Sequence, residues 1–128
     1  MFIVYDKTTG EIDFSVEENA IDVYYDIQTQ AALEVSERIR INEWYVEDGM
    51  LKRKKNIEMN YENGILHLSC DTVIGEINLK IINNNQIIDT FELDIGATEE
   101  DIEIEKRDND EYLIVLSGHR VIEKVMKI

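Results

Sequence analysis

The stretch "GEINLKIINNNQIIDTFELDI", residues 75–95, decides the fold class of this chain. Two segments rich in β-branched and apolar residues, 75–82 and 86–95, lie on either side of three consecutive asparagines, Asn83 to Asn85. β-Branched residues favour strands, and asparagine is a typical turn residue. The pattern predicts two strands joined by a turn.

Further strand signals fill the rest of the second half of the chain. They are short, evenly spaced and separated by turn residues, and they cover residues 56–61, 65–71, 101–106, 111–118 and 119–128. Short strands at even spacing are typical of a sandwich or a barrel and not of an α/β fold. We therefore expect an all-β, mainly antiparallel fold with the architecture of a β-sandwich.

The first forty residues contain two clear strand signals, a third strand signal and one ambiguous segment. Residues 2–16 predict a hairpin, and alternating apolar residues predict a strand within residues 21–28. Residues 29–40 fit both helical and strand periodicity. Good helix formers, with Thr29 as an N-cap, favour one short helix near residues 29–38, and a strand is the alternative.

The expected domain organisation is one β-sandwich domain over residues 1–128. The second half alone is smaller than the roughly 100 residues of an immunoglobulin-size sandwich, so the N-terminal strands are expected to complete its core. The alternative is an N-terminal hairpin module, residues 1–56, followed by a small sandwich, residues 60–128. Proline is absent, so charged side chains have to protect the edge strands.

The composition is strongly acidic, with 13 Lys and Arg against 28 Asp and Glu and a net charge of −15. Such a field repels nucleic acids and anionic lipids, so we expect neither nucleic acid nor membrane as a partner. No apolar run approaches the ~20 residues of a membrane helix, and no secretory signal is recognisable, which predicts synthesis in a cytoplasm. The single cysteine, Cys70, alternates with Leu66 and Leu68 and is expected to be a buried small hydrophobe.

No motif in the chain indicates catalysis or metal binding. His67 and His119 lack a recognisable partner for a nucleophilic or metal role, and Ser69 lacks a G-x-S-x-G elbow. The acidic residues 98–111 fit a half-solvated strand and a turn better than a calcium loop. We expect no enzyme, no catalytic residue, no metal and no cofactor.

The segment "NEWYVEDGMLKRKK", residues 42–55, predicts a hairpin with Asp48-Gly49 as its turn. Trp44 and Tyr45 point to opposite faces of its first strand, so one is expected in the core and the other exposed, and both are candidate protein-contact residues. The four cations from Lys52 to Lys55 alternate between faces. We expect them to be solvated edge protection, paired with the chain's own carboxylates, and not an anion site.

Residues 1–12, "MFIVYDKTTGEI", and 41–55, "INEWYVEDGMLKRKK", carry a resemblance to a known group of proteins. They resemble the N-terminal region of small tail and baseplate-associated proteins of siphophages that infect Gram-positive bacteria. The remainder is similar to the β-sandwich modules of phage receptor-binding proteins, including the shoulder domain of the lactococcal phage proteins. The chain is too short to add a neck and a saccharide-binding head, and the resemblance transfers no functional residue.

The resemblance implies a non-enzymatic structural or adaptor protein, made in the host cytoplasm and located in the virion, that docks on another tail or baseplate protein. One alternative is an acidic early phage protein that inhibits a host nucleic-acid enzyme, and a further one is a small carbohydrate-binding module. The C-terminal residues 121–128 could form an edge strand that pairs with a second copy, which would make a homo-oligomer.

Overall fold

The structure is a computed structural model, and it describes residues 1–17, 25–36 and 38–128. Every strand pairing in these ranges is antiparallel, so the prediction of an all-β, mainly antiparallel fold is confirmed. The chain divides into two compact units, Met1–Lys54 and Lys55–Ile128, called here the N-terminal and the C-terminal unit. The single domain over residues 1–128 stays a prediction. No helix in the described ranges is long and apolar enough to span a membrane.

The N-terminal unit contains five described strands and one 3-10 turn, Ile41–Glu43. The strands are β1 (Phe2–Asp6), β2 (Ile12–Val16), β3 (Gln30–Glu34), β4 (Trp44–Glu47) and β5 (Met50–Arg53). Sheet I has the order β2-β1-β3, and β4 and β5 form a separate hairpin. The turn of this hairpin is at Asp48-Gly49, as predicted, with φ of 53° and 72°.

The prediction of a helix near residues 29–38 is wrong, because Gln30–Glu34 is strand β3. β3 pairs with β1 along its whole length, from Phe2 opposite Glu34 to Asp6 opposite Gln30. This non-local pairing outweighs the helix propensity of the alanine-containing segment. The Thr29 carbonyl accepts a hydrogen bond from the Lys7 N–H at 2.9 Å, so Thr29 belongs to a turn and caps no helix.

The strand predicted within residues 21–28 lies partly outside the described residues. Residues 18–24 and residue 37 are not described, and residues 27–29 form a turn. Asp26 organises this turn: its carbonyl accepts from the Gln30 N–H at 2.7 Å, and its Oδ1 accepts from the Gln28 N–H at 2.9 Å. The chain continues directly from this turn into β3.

Gly10 joins the β4–β5 hairpin to the start of β2. Its carbonyl accepts a hydrogen bond from the Val46 N–H at 2.8 Å, and Glu11 forms a bridge with Tyr45. Gly10 has φ of 77°, and a Cβ there would lie 2.2 Å from the Val46 carbonyl oxygen. The contact brings Val46 into the core of this unit with Ile3.

We expect Gly10→Ala to lower the free energy of unfolding of the N-terminal unit by about 3 kcal/mol or more, because left-handed strain and a backbone clash add up. Gly49→Ala is the matched control: φ is 72° and a Cβ there meets nothing within 4 Å, so only strain of about 1–2 kcal/mol applies. Urea unfolding followed by fluorescence of Trp44, the only tryptophan, reports on this unit. Equal losses in the two variants would contradict the role of the close contact.

The C-terminal unit consists of seven strands in two sheets. The strands are β6 (Glu58–Glu62), β7 (Ile65–Ser69), β8 (Gly75–Asn83), β9 (Gln86–Ile95), β10 (Glu99–Glu103), β11 (Leu113–Ser117) and β12 (Lys124–Lys127). Sheet II has the order β10-β7-β6, and sheet III has the order β12-β11-β8-β9. The predicted hairpin of residues 75–95 is β8–β9, with Asn84 and Asn85 at φ of 52° and 62° in its turn.

One apolar core lies between sheets II and III. Its members from the strand centres are Leu66 and Leu68 of β7, Ile77, Leu79 and Ile81 of β8, and Ile114 and Leu116 of β11. Burying each such side chain stabilises the fold by about 1.5–3 kcal/mol. Two antiparallel sheets that share one core make this unit sandwich-like. Cys70 packs against the core and is half-buried.

Lys55 fixes the beginning of the C-terminal unit. Its Nζ donates to the carbonyls of Val73 and Ile74 at 2.7 and 3.2 Å. Its backbone forms a parallel bridge with Val121, and its N–H donates to the Arg120 carbonyl at 2.9 Å. The chain therefore enters the sandwich beside the segment that leads into β12.

Candidate functional site

The cations from Lys52 to Lys55 do not form an anion site, because each has a partner within its own unit. Three of them are paired with carboxylates: Lys52 with Glu47 at 3.2 Å, Arg53 with Glu43 at 3.6 Å, and Lys54 with Glu11 at 2.8 Å. Lys55 donates to the two carbonyls described above. The expectation that these cations pair with the chain's own carboxylates is confirmed for the first three.

Trp44 and Tyr45 are both half-buried, whereas one core and one exposed side chain were expected. Trp44 lies opposite Arg53, whose guanidinium carbon is 5.7 Å from the ring centroid. Trp44 also lines a cavity of about 440 Å³ with apolar side chains that include Val35 and Leu51. Tyr45 pairs with Lys52, and its side chain lies on the opposite face of the hairpin from that of Trp44. The role of this pair in protein contacts stays a prediction.

The outer face of sheet II is strongly acidic. Side chains alternate along each strand, and Leu66 and Leu68 of β7 are buried. The other residues of β7, and the residues paired with them on β6 and β10, therefore point to solvent. We call five of these outward carboxylates the acidic face: Glu58 and Glu62 of β6, and Glu99, Asp101 and Glu103 of β10. The alternation predicted for "DIEIE" is thereby confirmed, with Ile104 buried and Ile102 packed against the core.

His67 lies at the centre of the acidic face. Its Nδ1 is 2.6 Å from Asp101 Oδ1, and its Nε2 is 3.4 Å from Glu99 Oε1. The hydrogen bond to Asp101 is the main cause that raises the pKa of His67 above 6.5, and Glu99 adds to the effect. His67 is thus a hydrogen-bonded surface histidine. The sequence alone could not identify its partners, because they lie on another strand.

We expect His67 to make the C-terminal unit more stable at low pH than at high pH. Because its pKa is raised in the folded state, the stabilisation is fully present below 6.5 and is lost as the pH rises through the raised value. The difference in free energy of unfolding between wild type and His67→Gln should therefore fall as the pH rises from below 6.5 through the raised pKa of His67. Asp101→Asn should move the pKa of His67, measured by NMR titration, back towards 6.5. A difference that does not change with pH would contradict this role.

The outer face of sheet III carries an apolar row. In one cross-strand line Leu113, Ile82 and Ile87 lie side by side, and in the next Val125 lies opposite Val115. These five residues are called the apolar row. The side chains of Val125 and Ile87 are the most exposed of the row, at 61% and 57%. Contiguous exposed apolar residues on a sheet face indicate an interaction surface.

Two lysines flank the apolar row. Lys127 lies opposite Leu113, and Lys80 lies opposite Val115. Lys127 is paired with Glu111 at 3.2 Å, while Lys80 is exposed. The surface around the row is therefore less acidic than the outer face of sheet II, within a chain of net charge −15.

Strand β9 forms one edge of sheet III and, with ten residues, is the longest strand of the described chain. Its ladder with β8 shifts between Ile81, which pairs with Asp89, and Ile82, which pairs with Ile87. Ile88 is the extra residue of this bulge and is 50% exposed. The bulge explains why two consecutive isoleucines, Ile87 and Ile88, are both exposed, which strand alternation alone does not predict.

A second concave surface lies at the other end of sheet III. Glu76, Glu92, Asp94 and His119 are among the residues that line a groove of about 430 Å³. Within the described ranges, no group of three or more His, Cys, Asp and Glu side chains has the arrangement of a metal site. We therefore name no metal ligand and no cofactor-binding residue.

Comparisons with protein-family models, curated proteins and solved structures found no match to the chain. The chain's own surfaces are thus the basis for assigning a function.

Proposed function

We propose that the chain is a non-enzymatic structural or adaptor protein of a bacteriophage tail, in which a β module docks on another tail or baseplate protein. The observation that carries the docking part is the apolar row on sheet III. Its exposed side chains include Val125 and Ile87, and covering them removes apolar surface from water at about 25 cal/mol per Å². The flanking Lys80 and Lys127 give this surface the polar rim that interaction sites share.

The bacteriophage part of the proposal rests on a different observation, the resemblance of residues 1–12 and 41–55 to small siphophage tail and baseplate proteins. The β-rich architecture supports it, because the resembling receptor-binding proteins attach through β-sandwich modules. The virion is the corresponding location, and the partner is a second virion protein.

Mass spectrometry of purified virions tests this proposal in the bacteriophage whose genome carries the chain. We expect the protein in complete particles, and we expect Val125→Lys to lower its amount about tenfold or more, because a buried charge replaces an apolar contact. Ile65→Lys is the matched control, since Ile65 is 40% exposed on the outer face of sheet II. Circular dichroism checks that both variants fold.

Absence of the wild-type protein from complete particles would contradict the virion role. Equal incorporation of Val125→Lys and of the wild type would show that the apolar row is not the docking surface. Loss of incorporation with Ile65→Lys but not with Val125→Lys would show that sheet II, not sheet III, faces the partner.

A second candidate function is favoured by the acidic face of sheet II. Here the chain is an early phage protein that inhibits a host nucleic-acid enzyme by occupying its basic cleft. Strands β6 and β10 lie on either side of β7, about 9.6 Å apart, and alternate residues along each strand are about 6.7 Å apart, so the five carboxylates form a regular array around His67. Regular negative charge is the feature that a basic nucleic-acid cleft recognises.

A pull-down from host lysate tests the second candidate. We expect wild-type protein to retain a basic, DNA-binding enzyme, and the triple variant Glu99→Gln, Asp101→Asn and Glu103→Gln to lose it. The control triple Glu76→Gln, Glu92→Gln and Asp94→Asn removes the same charge from sheet III and should retain the enzyme. A pull-down without any DNA-binding enzyme counts against this function.

A further inference from the structure

Strand β9 has a free edge. β9 pairs with β8 on one side, and no described strand pairs with it on the other. A sheet edge presents unpaired N–H and C=O groups to which an extended chain can add as a further strand. The other edges are shorter: β6 and β10 have five residues each and β12 has four, against ten for β9.

A cleft lies beside this edge on the core side of the strand. It has a volume of about 350 Å³ and lies between β9 and the end of β10, with apolar walls from Ile81, Ile88, Phe91 and Ile104. Three acidic residues border it: Asp89, which pairs with the buried Ile81 and so points to this side, and Glu103 and Glu105 at the end of β10, of which Glu103 also belongs to the acidic face. The cleft therefore combines an apolar interior with a concentrated negative charge.

The acidic residues that border the cleft lack an internal counter-charge. In the described ranges, Asp89, Glu103 and Glu105 form no ion pair, in contrast to the carboxylates that partner Lys52, Arg53 and Lys54. Three like charges around one small cleft repel one another, and a cation placed between them would relieve that repulsion. A lysine or arginine side chain fits both properties, since its alkyl stem can lie on apolar walls while its charged head stays among the carboxylates.

The edge is protected against acidic strands, including a second copy of the chain. Asp89 Oδ1 accepts a hydrogen bond from the Thr90 N–H at 2.9 Å, so this amide already has a local partner. Self-pairing of β9 would also bring its acids Asp89, Glu92 and Asp94 close to those of the other copy. Like charges directly opposite are destabilising, so this edge disfavours self-pairing through β9 and favours a basic partner.

We propose that β9 accepts an extended, basic segment of the partner protein as an added strand, with one lysine or arginine of that segment seated in the cleft between β9 and β10. This inference rests on the proposed docking function and names the chemistry of the partner. The cation draws Asp89 away from the Thr90 N–H, which then donates to a carbonyl of the incoming strand. On the opposite face of the added strand, an apolar residue extends the apolar row beside Ile87.

A pair of synthetic peptides tests the proposal on the full chain. Each is as long as β9, ten residues, and alternates valine with threonine; one has a central lysine and the other a central glutamate. We expect the lysine peptide to slow amide hydrogen exchange within residues 86–95 and to bind at least about tenfold more tightly than the glutamate peptide. Added salt should weaken the binding of the lysine peptide.

Two double variants test which carboxylates attract the lysine peptide. Glu103→Gln with Glu105→Gln removes two carboxylates from the cleft and should weaken binding of the lysine peptide about fivefold or more. Glu58→Gln with Glu62→Gln removes the same charge from β6, the far edge of sheet II, and should leave the affinity unchanged. Equal effects of the two double variants would show general electrostatic attraction and would overturn the cleft.

The remaining outcomes are also decisive. Unchanged exchange within residues 86–95, or equal affinity for both peptides, would overturn strand addition. Dimerisation through β9 without peptide, seen in sedimentation, would replace the basic partner by a second copy. If Val125→Lys lowers virion incorporation but β9 does not bind the lysine peptide, the docking function is supported and strand addition is contradicted. If the peptide adds to β9 but the protein is absent from virions, strand addition is supported and the virion role is contradicted.

Discussion

The shared apolar core of sheets II and III is the constraint on which the C-terminal unit depends. Side chains alternate along a strand, so fixing Leu66, Leu68, Leu79 and Leu116 inside determines which residues point out. A shift of one residue along these strands would expose the leucines and bury polar neighbours such as His67, Asn78 and Ser117 in their place. The outer faces are therefore not independent features: their composition follows from the core.

Because the register is fixed, the two outer faces of the same unit differ in chemistry. Sheet II presents the acidic face, where His67 bridges Asp101 and Glu99. Sheet III presents the apolar row between Lys80 and Lys127. The outer face of sheet II is thus well solvated, and the outer face of sheet III exposes apolar surface. The bulge at Ile88 adds to this contrast, because it extends exposed apolar surface to the β9 edge.

Local signals were sufficient for much of the fold, and long-range pairing explains the rest. The hairpin of residues 75–95 was predictable because alternation and its asparagine turn are local. The helix near residues 29–38 was wrong because pairing of β3 with β1 overrides local propensity. The contact of His67 with Asp101 spans 34 positions, and no local pattern encodes such a register. For the candidate site, sequence reasoning named Trp44 and Tyr45 but not the apolar row, since exposure of Ile87 depends on the bulge and on the order of the strands.

The proposed docking function requires that sheet III, and not sheet II, faces the partner in the virion. Hydroxyl-radical footprinting of the protein in virions and of the free protein measures this directly, residue by residue. We expect protection of Val125, Leu113 and Ile87 in the virion, with Ile65 on the acidic face labelled equally in both samples. Protection of Ile65 together with unchanged labelling of Val125 and Ile87 would contradict the claim.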